Sequence, residues 1–460
     1  MTRRTHVALL ATLMSTAAWG QEVSVFGTTM AQMWKSEAAG FDKATYTPAT
    51  QYLGIDATRL GSDNLSLHLF GWGRTDLKES TSFDGTKSGG YLNYGYLQYR
   101  FDKANAEIKA GRFTAQQATG YEQVDGVAIR TDLRGGFTFS AFGGKPVLYK
   151  TVDPREQTNY DYQRDFIVGA RVGYRMQKLG EIGLSYLQDG SKAAKDISTP
   201  MPVDYTRKQA GLDLMIAPFS FFNLQGRTLF DMGDHDTPAP LGSGHTRVAE
   251  HDYKATIRLS STVSFSATMA ERNFHAYYAG TNLPSLFRQD EKGWFKGWGG
   301  SLQWLTTENC QITLDYRHMH RQNVSDVNRG GGEIRWALNE RKLQLGVNAH
   351  WVNATRVYFV DPLAPYRSLN HAEMRAWIMT VKGKFTASFD TIFQRFQKDN
   401  PYLDGLRNVV ESVASLGYAV NENLKVSGDL SYGRNVAASN ETRGLLRAEY
   451  RFGFAKKGGR

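Results

Sequence analysis

The sequence predicts an all-β fold, a transmembrane antiparallel up-and-down β-barrel of about 22 strands within a range of roughly 20 to 24. Three observations predict it. Stretches of roughly ten residues alternate apolar and polar from Glu22 almost to the C-terminus, the period-two pattern of a strand with two unlike faces. The connections between them are alternately very short and longer. No apolar run of about 20 residues is present, so nothing in the 460 residues spans a bilayer as a helix.

Taken in order, the first strands cover residues 22–34, 52–60 and 65–69, with the tight turn Gly61-Ser62-Asp63-Asn64 between the last two. Residues 91–101 and 106–113 follow, joined at Asp102-Lys103-Ala104-Asn105. Asp, Asn and Gly suit such turns because they tolerate positive φ or bond their own backbone. The pattern continues through 124–132, 135–143, 162–176, 181–188 and 205–217, then 221–231, 248–260, 262–274, 298–305 and 311–321. It ends with 329–338, 343–356, 371–383, 384–396, 406–419, 424–434 and a last strand over 446–454. The short turns at 61–64, 102–105, 177–180, 218–220, 306–309, 339–342 and 420–423 all follow even-numbered strands. The longer polar segments at 79–89, 144–161, 190–204, 232–247, 275–293, 358–369 and 397–405 all follow odd-numbered ones. One end of the molecule therefore carries turns and the other loops, an asymmetry with no cause in a soluble sandwich. The near-uniform spacing, with no Pro/Ser-rich linker, argues for one domain.

The N-terminus reads as an export signal over residues 1–20: Arg3 and Arg4, an apolar stretch from Val7 to Met14, and the small-x-small site Ala18-Trp19-Gly20. Cys310 is the sole cysteine, which forbids an intrachain disulfide and a Cys-x-x-Cys-His haem attachment. The net charge of +10 is scattered rather than clustered. That argues against nucleic acid and for an anionic leaflet or an anionic solute.

The terminal stretch Leu446-Arg-Ala-Glu-Tyr-Arg-Phe-Gly-Phe454 puts Leu446, Ala448, Tyr450, Phe452 and Phe454 on one face and Arg447, Glu449 and Arg451 on the other. With the signal peptide, a first strand directly after it, the alternating strands and the ending Tyr450-Arg451-Phe452-Gly453-Phe454, the chain resembles a Gram-negative outer-membrane porin-type barrel. The resemblance implies a barrel over 21–454, lipid and lipopolysaccharide around it, and barrel-assembly machinery that reads the last strand. Residues 455–460 form a short basic tail. The stretch Leu67–Arg74, with the early turn before it, also resembles barrels of metal-reducing bacteria that accompany multihaem cytochromes.

On the parity of the apolar faces, the lumen receives Arg100, Lys109, Arg171, Arg175, Arg227, Lys254, Arg258, Arg317, Arg335, Lys425, Arg447 and Arg451, interleaved with Asp56, His68, Glu107, Glu181, Asp213, Asp315, Glu333, Glu411, Asp429 and Glu449. Charges in a wet channel select ions by sign; mixed signs on neighbouring strands also pair with one another. Trp34, Trp72, Trp304, Trp336, Trp351 and Trp377 are expected in the aromatic girdle at the interfaces. His318 and His320 are expected at the outer rim and His350 in the lumen. No Gly-x-Ser-x-Gly and no His-Glu-x-x-His occurs, so no enzyme, cofactor or metal is expected. The expected function is a passive diffusion channel for small hydrophilic or anionic solutes, without a plug domain and narrowed by loops 144–161 or 275–293. A sheath for a periplasmic multihaem cytochrome is the alternative, with Gly173, Gly183, Gly211 and Gly346 as small inward positions.

Overall fold

A computed structural model describes residues 22–38, 44–78, 87–147, 166–191, 205–232, 247–274, 293–321, 325–354, 357–358, 366–398, 407–434 and 438–455. The expected signal peptide, residues 456–460, and loop residues 148–165 and 275–292 lie outside the described residues.

The strands are β1 (Glu22–Ala38), β2 (Ala44–Tyr46), β3 (Pro48–Thr58), β4 (Leu65–Asp76), β5 (Ser88–Phe101), β6 (Ala106–Gln117), β7 (Gly120–Asp132), β8 (Phe137–Pro146) and β9 (Phe166–Met176). Next come β10 (Gly180–Ser191), β11 (Tyr205–Phe219), β12 (Phe222–Asp231), β13 (Arg247–Arg258), β14 (Val263–Phe274), β15 (Gly293–Thr307), β16 (Cys310–Arg321), β17 (Ser325–Leu338) and β18 (Leu343–Ala354). The chain finishes with β19 (Val357–Tyr358), β20 (Tyr366–Arg367), β21 (His371–Lys382), β22 (Phe385–Phe396), β23 (Asn408–Asn421), β24 (Leu424–Arg434) and β25 (Ala438–Ala455). β19 and β20 pair only with each other. β2 continues β3 past Thr47, since Trp34↔Tyr46 and Ala31↔Ala49 belong to one register on β1. Counted so, 22 strands form the wall.

Each strand pairs antiparallel with its sequence neighbour, and β1 pairs with β25 from Glu22↔Ala455 to Ala38↔Ala438. The sheet is closed. Closure leaves no edge whose N–H and C=O groups would face hydrocarbon unpaired. Turns at one end use residues able to take positive φ: Asn105 (φ 46), Lys178 (φ 66), Asn339 (φ 52) and Gly383 (φ 58).

The two faces differ as the alternation requires. On β25, Leu446 is 66% and Phe454 61% exposed, and Leu184, Leu416 and Leu430 are similarly bare on their own strands. So much exposed apolar surface at regular positions marks a lipid-facing belt. On the opposite face, side chains of next-but-one strands meet: Arg171 of β9 reaches Asp213 of β11 at 2.6 Å, and His350 of β18 reaches Asp315 of β16 at 2.8 Å. Side chains converge in this way on the concave surface of a cylinder and diverge on the convex one. The charged face is the lumen.

Two sequence expectations need correction. The girdle receives Trp304 and Trp351, about half exposed, and Trp336 on the same outward parity, but Trp34 and Trp72 are buried and Trp377 points inward with Arg375 and Glu373. Trp34 lies under the Arg443 guanidinium at 4.3 Å and against Tyr46. Trp34 shares the inward parity of Phe26 on β1, and Trp72 that of His68 on β4, so neither ring reaches the headgroup region. The second concerns residues 114–123, which the sequence pattern leaves unassigned between the strands 106–113 and 124–132. They complete β6 and β7 as one hairpin turning at Ala118-Thr119.

Candidate functional site: a hairpin folded into a charged lumen

The β6–β7 hairpin begins in the wall and leaves it. On the β5 side its ladder stops at Gly95↔Arg112, while β7 stays paired to β8 as far as Val124↔Pro146. Freed on one side, the upper half crosses in front of its neighbours. Phe113 and Val124 pack on Phe142 of β8, Ile167 of β9 and Leu187 of β10, all buried on the luminal face. At the tip, Ala118 Cβ is 2.8 Å from where a Cβ on Gly211 of β11 would stand, and Gln117 Oε1 is 3.2 Å from the same point on Gly169 of β9. Gln117, Ala118 and Thr119 are all buried.

The local sequence permits the bend. Gly111, Gly126 and Gly144 stand side by side on three adjacent strands. A Cβ on Gly126 would collide with the Gly143 carbonyl, and one on Gly144 with the Asp125 carbonyl. Gly111 adopts φ +127, which an L side chain resists. The open seam beside β5 is bridged by side chains. Arg112 holds Asp125 through two bonds of 2.7 Å and donates to the Leu92 carbonyl at 3.1 Å, and the Tyr91 hydroxyl bonds Gln123.

Below the tip is a cavity of about 710 Å³ lined by the hairpin, Lys109, Arg130, Arg171, Arg227, Asp252 and Lys254. Arg171 is its anchor. Its Nη2 bonds Asp213 at 2.6 Å and its Nη1 lies 2.9 Å from Glu181. The guanidinium occupies space left by Gly173 and Gly183. Replacing Arg171 with Met should leave the partly buried Asp213 uncompensated and Glu181 held by Arg175 alone. We expect a loss of about 1–3 kcal/mol, less than for a fully buried pair because the site is wet, read as a lower urea midpoint for the heat-modifiable form.

All twelve basic residues picked from sequence stand on the luminal face by register. Many are already paired: Arg100 with Asp102, Lys109 with Glu107, Arg171 as above, Arg175 with Glu181 and Asp132, Arg227 with Glu250, Arg335 with Glu333, and Arg447 with Asp429 and Glu449. Arg451 bonds the Ser24 hydroxyl and sits over Phe26. Lys254, Arg258, Arg317 and Lys425, with Arg130, have no ion-pair partner among the described residues. Only Asp252 and Glu411 of the luminal carboxylates are similarly unpaired there. Among the described residues, the luminal charge left over after pairing is positive.

His350, expected in the lumen, lies in a network that sequence reading missed. Its Nε2 is 2.8 Å from Asp315, its Nδ1 3.0 Å from Arg329 Nη2, and Arg329 also bonds Glu373 at 3.1 Å. His318 and His320 point outward and face Asn328 and Asp326 across the ladder.

No protein-family model matches the chain. No curated protein matches it in sequence. Solved structures do match its shape. The siderophore receptor PirA of Pseudomonas aeruginosa superposes with TM-score 0.59 at 10% identity, over 94% of this chain and 81% of that one. This chain has the fold of a Gram-negative outer-membrane barrel. The ferric enterobactin receptor of Pseudomonas aeruginosa, in complex with enterobactin, gives TM-score 0.55 at 9% identity over 94% and 82%. The copper transporter OprC gives 0.55 at 12% over 94% and 81%. Identities this low establish the wall architecture that the outer-membrane barrel shares with them, and nothing about its cargo.

Proposed function

We propose that this outer-membrane barrel is a passive diffusion channel for small hydrophilic solutes with a preference for anions, narrowed by the β6–β7 hairpin. The hairpin is the observation that carries the reading. A wall of 22 strands closes around an opening roughly 40 Å across between backbones, far wider than a small solute needs. An apolar wedge clamped to β8–β11 reduces that bore from within, and solutes pass beside the surplus of unpaired cations. Barrel-assembly machinery acting on β25, with lipid and lipopolysaccharide on the outer belt, completes the proposed surroundings.

The sheath alternative gains no support from the inward glycines. Arg171 fills the space beside Gly173 and Gly183, Ala118 that beside Gly211, and Trp377 that beside Gly346. These positions serve the barrel's own side chains, and the hairpin interrupts the smooth bore a rigid partner requires.

Planar-bilayer recording tests the channel. The purified chain should give steady single-channel conductance, with a reversal potential on the anion side in a salt gradient. Insertion without conductance overturns the reading, and cation preference overturns its selectivity.

A further inference from the structure

Far from the hairpin's tip, at the short-turn end of the lumen, three polar side chains form a chain of hydrogen bonds. Ser66 Oγ lies 2.9 Å from His68 Nε2, and His68 Nδ1 lies 2.7 Å from Asp56 Oδ1. We propose that Ser66, His68 and Asp56 form a nucleophilic triad that hydrolyses carboxylic esters carrying an apolar or aryl group, an activity separate from conduction.

Strand geometry assembles it. Ser66 and His68 are two apart on β4 and share the luminal face, and Asp56 stands directly opposite His68 on β3, across the turn at 59–64. The imidazole is held on both sides: by Asp56, and by the Tyr96 ring at 5.1 Å and 28°. His68 and Asp56 remain 23% and 31% exposed, open to a solute in the lumen. The wall beside them is aromatic. Phe70 stacks with Phe26 at 6.1 Å, Tyr52 at 6.2 Å and Tyr94 at 5.5 Å. A patch of near-parallel rings in an otherwise charged lumen gives an apolar acyl or aryl group somewhere to lie. Gln98, opposite Ser66 in the ladder, supplies a side-chain amide for the developing oxyanion; it now donates to Glu107 at 3.3 Å.

With its proton on Nδ1, His68 accepts the Ser66 proton at Nε2 as Oγ attacks the ester carbonyl. The C–O bond to the alcohol then breaks, and His68 returns the proton to the departing alkoxide. Lumen water repeats the cycle: its proton passes to Nε2, its oxygen forms the acid, and Ser66 recovers the proton as the acyl–Oγ bond breaks. Ser66 and His68 are the catalytic residues. Asp56 is a positioning residue that fixes the tautomer.

The test uses the full barrel in detergent, with p-nitrophenyl butyrate as substrate and a fluorophosphonate as probe. We expect p-nitrophenolate release and a phosphonate mapped by peptide mass to Ser66. Ser66→Ala should abolish labelling and lower hydrolysis on the order of a thousandfold or more. His68→Gln should do the same with Ser66 intact, and Asp56→Asn should lower kcat with little change in KM, as expected when the imidazole tautomer is no longer fixed. Each variant should keep heat-modifiable migration and unchanged conductance, which separates this proposal from the channel reading. A folded wild-type barrel that stays unlabelled overturns it, as does hydrolysis that persists in Ser66→Ala or in His68→Gln.

Discussion

Replacing residues 113–124 with a short Asn-Gly turn between Arg112 and Asp125 should raise single-channel conductance several-fold and leave the barrel closed. Arg112 and Asp125 already face each other in the ladder and share two hydrogen bonds, so the shortened hairpin keeps its clasp. The wall loses little. β6 has no backbone pairing to β5 above Gly95, and β7 reaches only Val124↔Pro146 on the other side. What disappears is the wedge over β8–β11 and the buried tip Gln117-Ala118-Thr119. Planar-bilayer recording measures the change. Unaltered conductance in a folded, inserted variant would mean that solutes pass elsewhere and that the hairpin is a strut.

Phe113→Ala should leave the hairpin present but loosely held, giving a noisy channel with long open excursions. Phe113 is 2% exposed and lies at the centre of the five-residue cluster with Val124, Phe142, Ile167 and Leu187. Truncating a buried Phe costs about 3–5 kcal/mol. Because the β1–β25 closure and every strand ladder are untouched, the loss falls on docking of the hairpin and not on the barrel. Two readouts follow: added current noise, and faster protease cleavage near Gln116-Gln117 from the loop side, with heat-modifiable migration preserved. Cleavage as slow as in the parent with quiet current would show that the ion pair Arg112–Asp125 and the tip contacts suffice to hold it.

Strand number, order and facing were legible in the chain itself. A period-two pattern states which side chains share a face without reference to any partner, and the inward set of basic residues follows from it. The turn-and-loop alternation supplied antiparallel order in the same way. The girdle tryptophans were only half legible, because Trp34 and Trp377 answer to neighbours on other strands: Arg443 above one ring and the space left by Gly346 beside the other. The proposed triad carries a local signal of its own. Ser66-x-His68 stands across a tight turn from Asp56, and turn position sets cross-strand register, so the turn by itself aligns the three. Alternating Ser and His are common in polar lumens, and that background masks the signal.

By itself, then, the sequence determined a closed all-β wall with an apolar outside and a charged inside, since alternation, turn chemistry and the need to leave no unpaired edge are local rules. Tertiary structure alone decided what occupies the interior. Residues 114–123 fall outside both strands on the sequence reading, because Gln116 and Gln117 are polar, and nothing local says that Phe113 and Val124 find Phe142, Ile167 and Leu187 on the next three strands. Nor does a glycine announce what fills the space it leaves. Gly111, Gly126 and Gly144 bend a sheet, Gly173 and Gly183 seat a guanidinium, and Gly211 admits the tip of a hairpin. Such roles depend on which strands closure brings together, and packing across a lumen has no period along the chain.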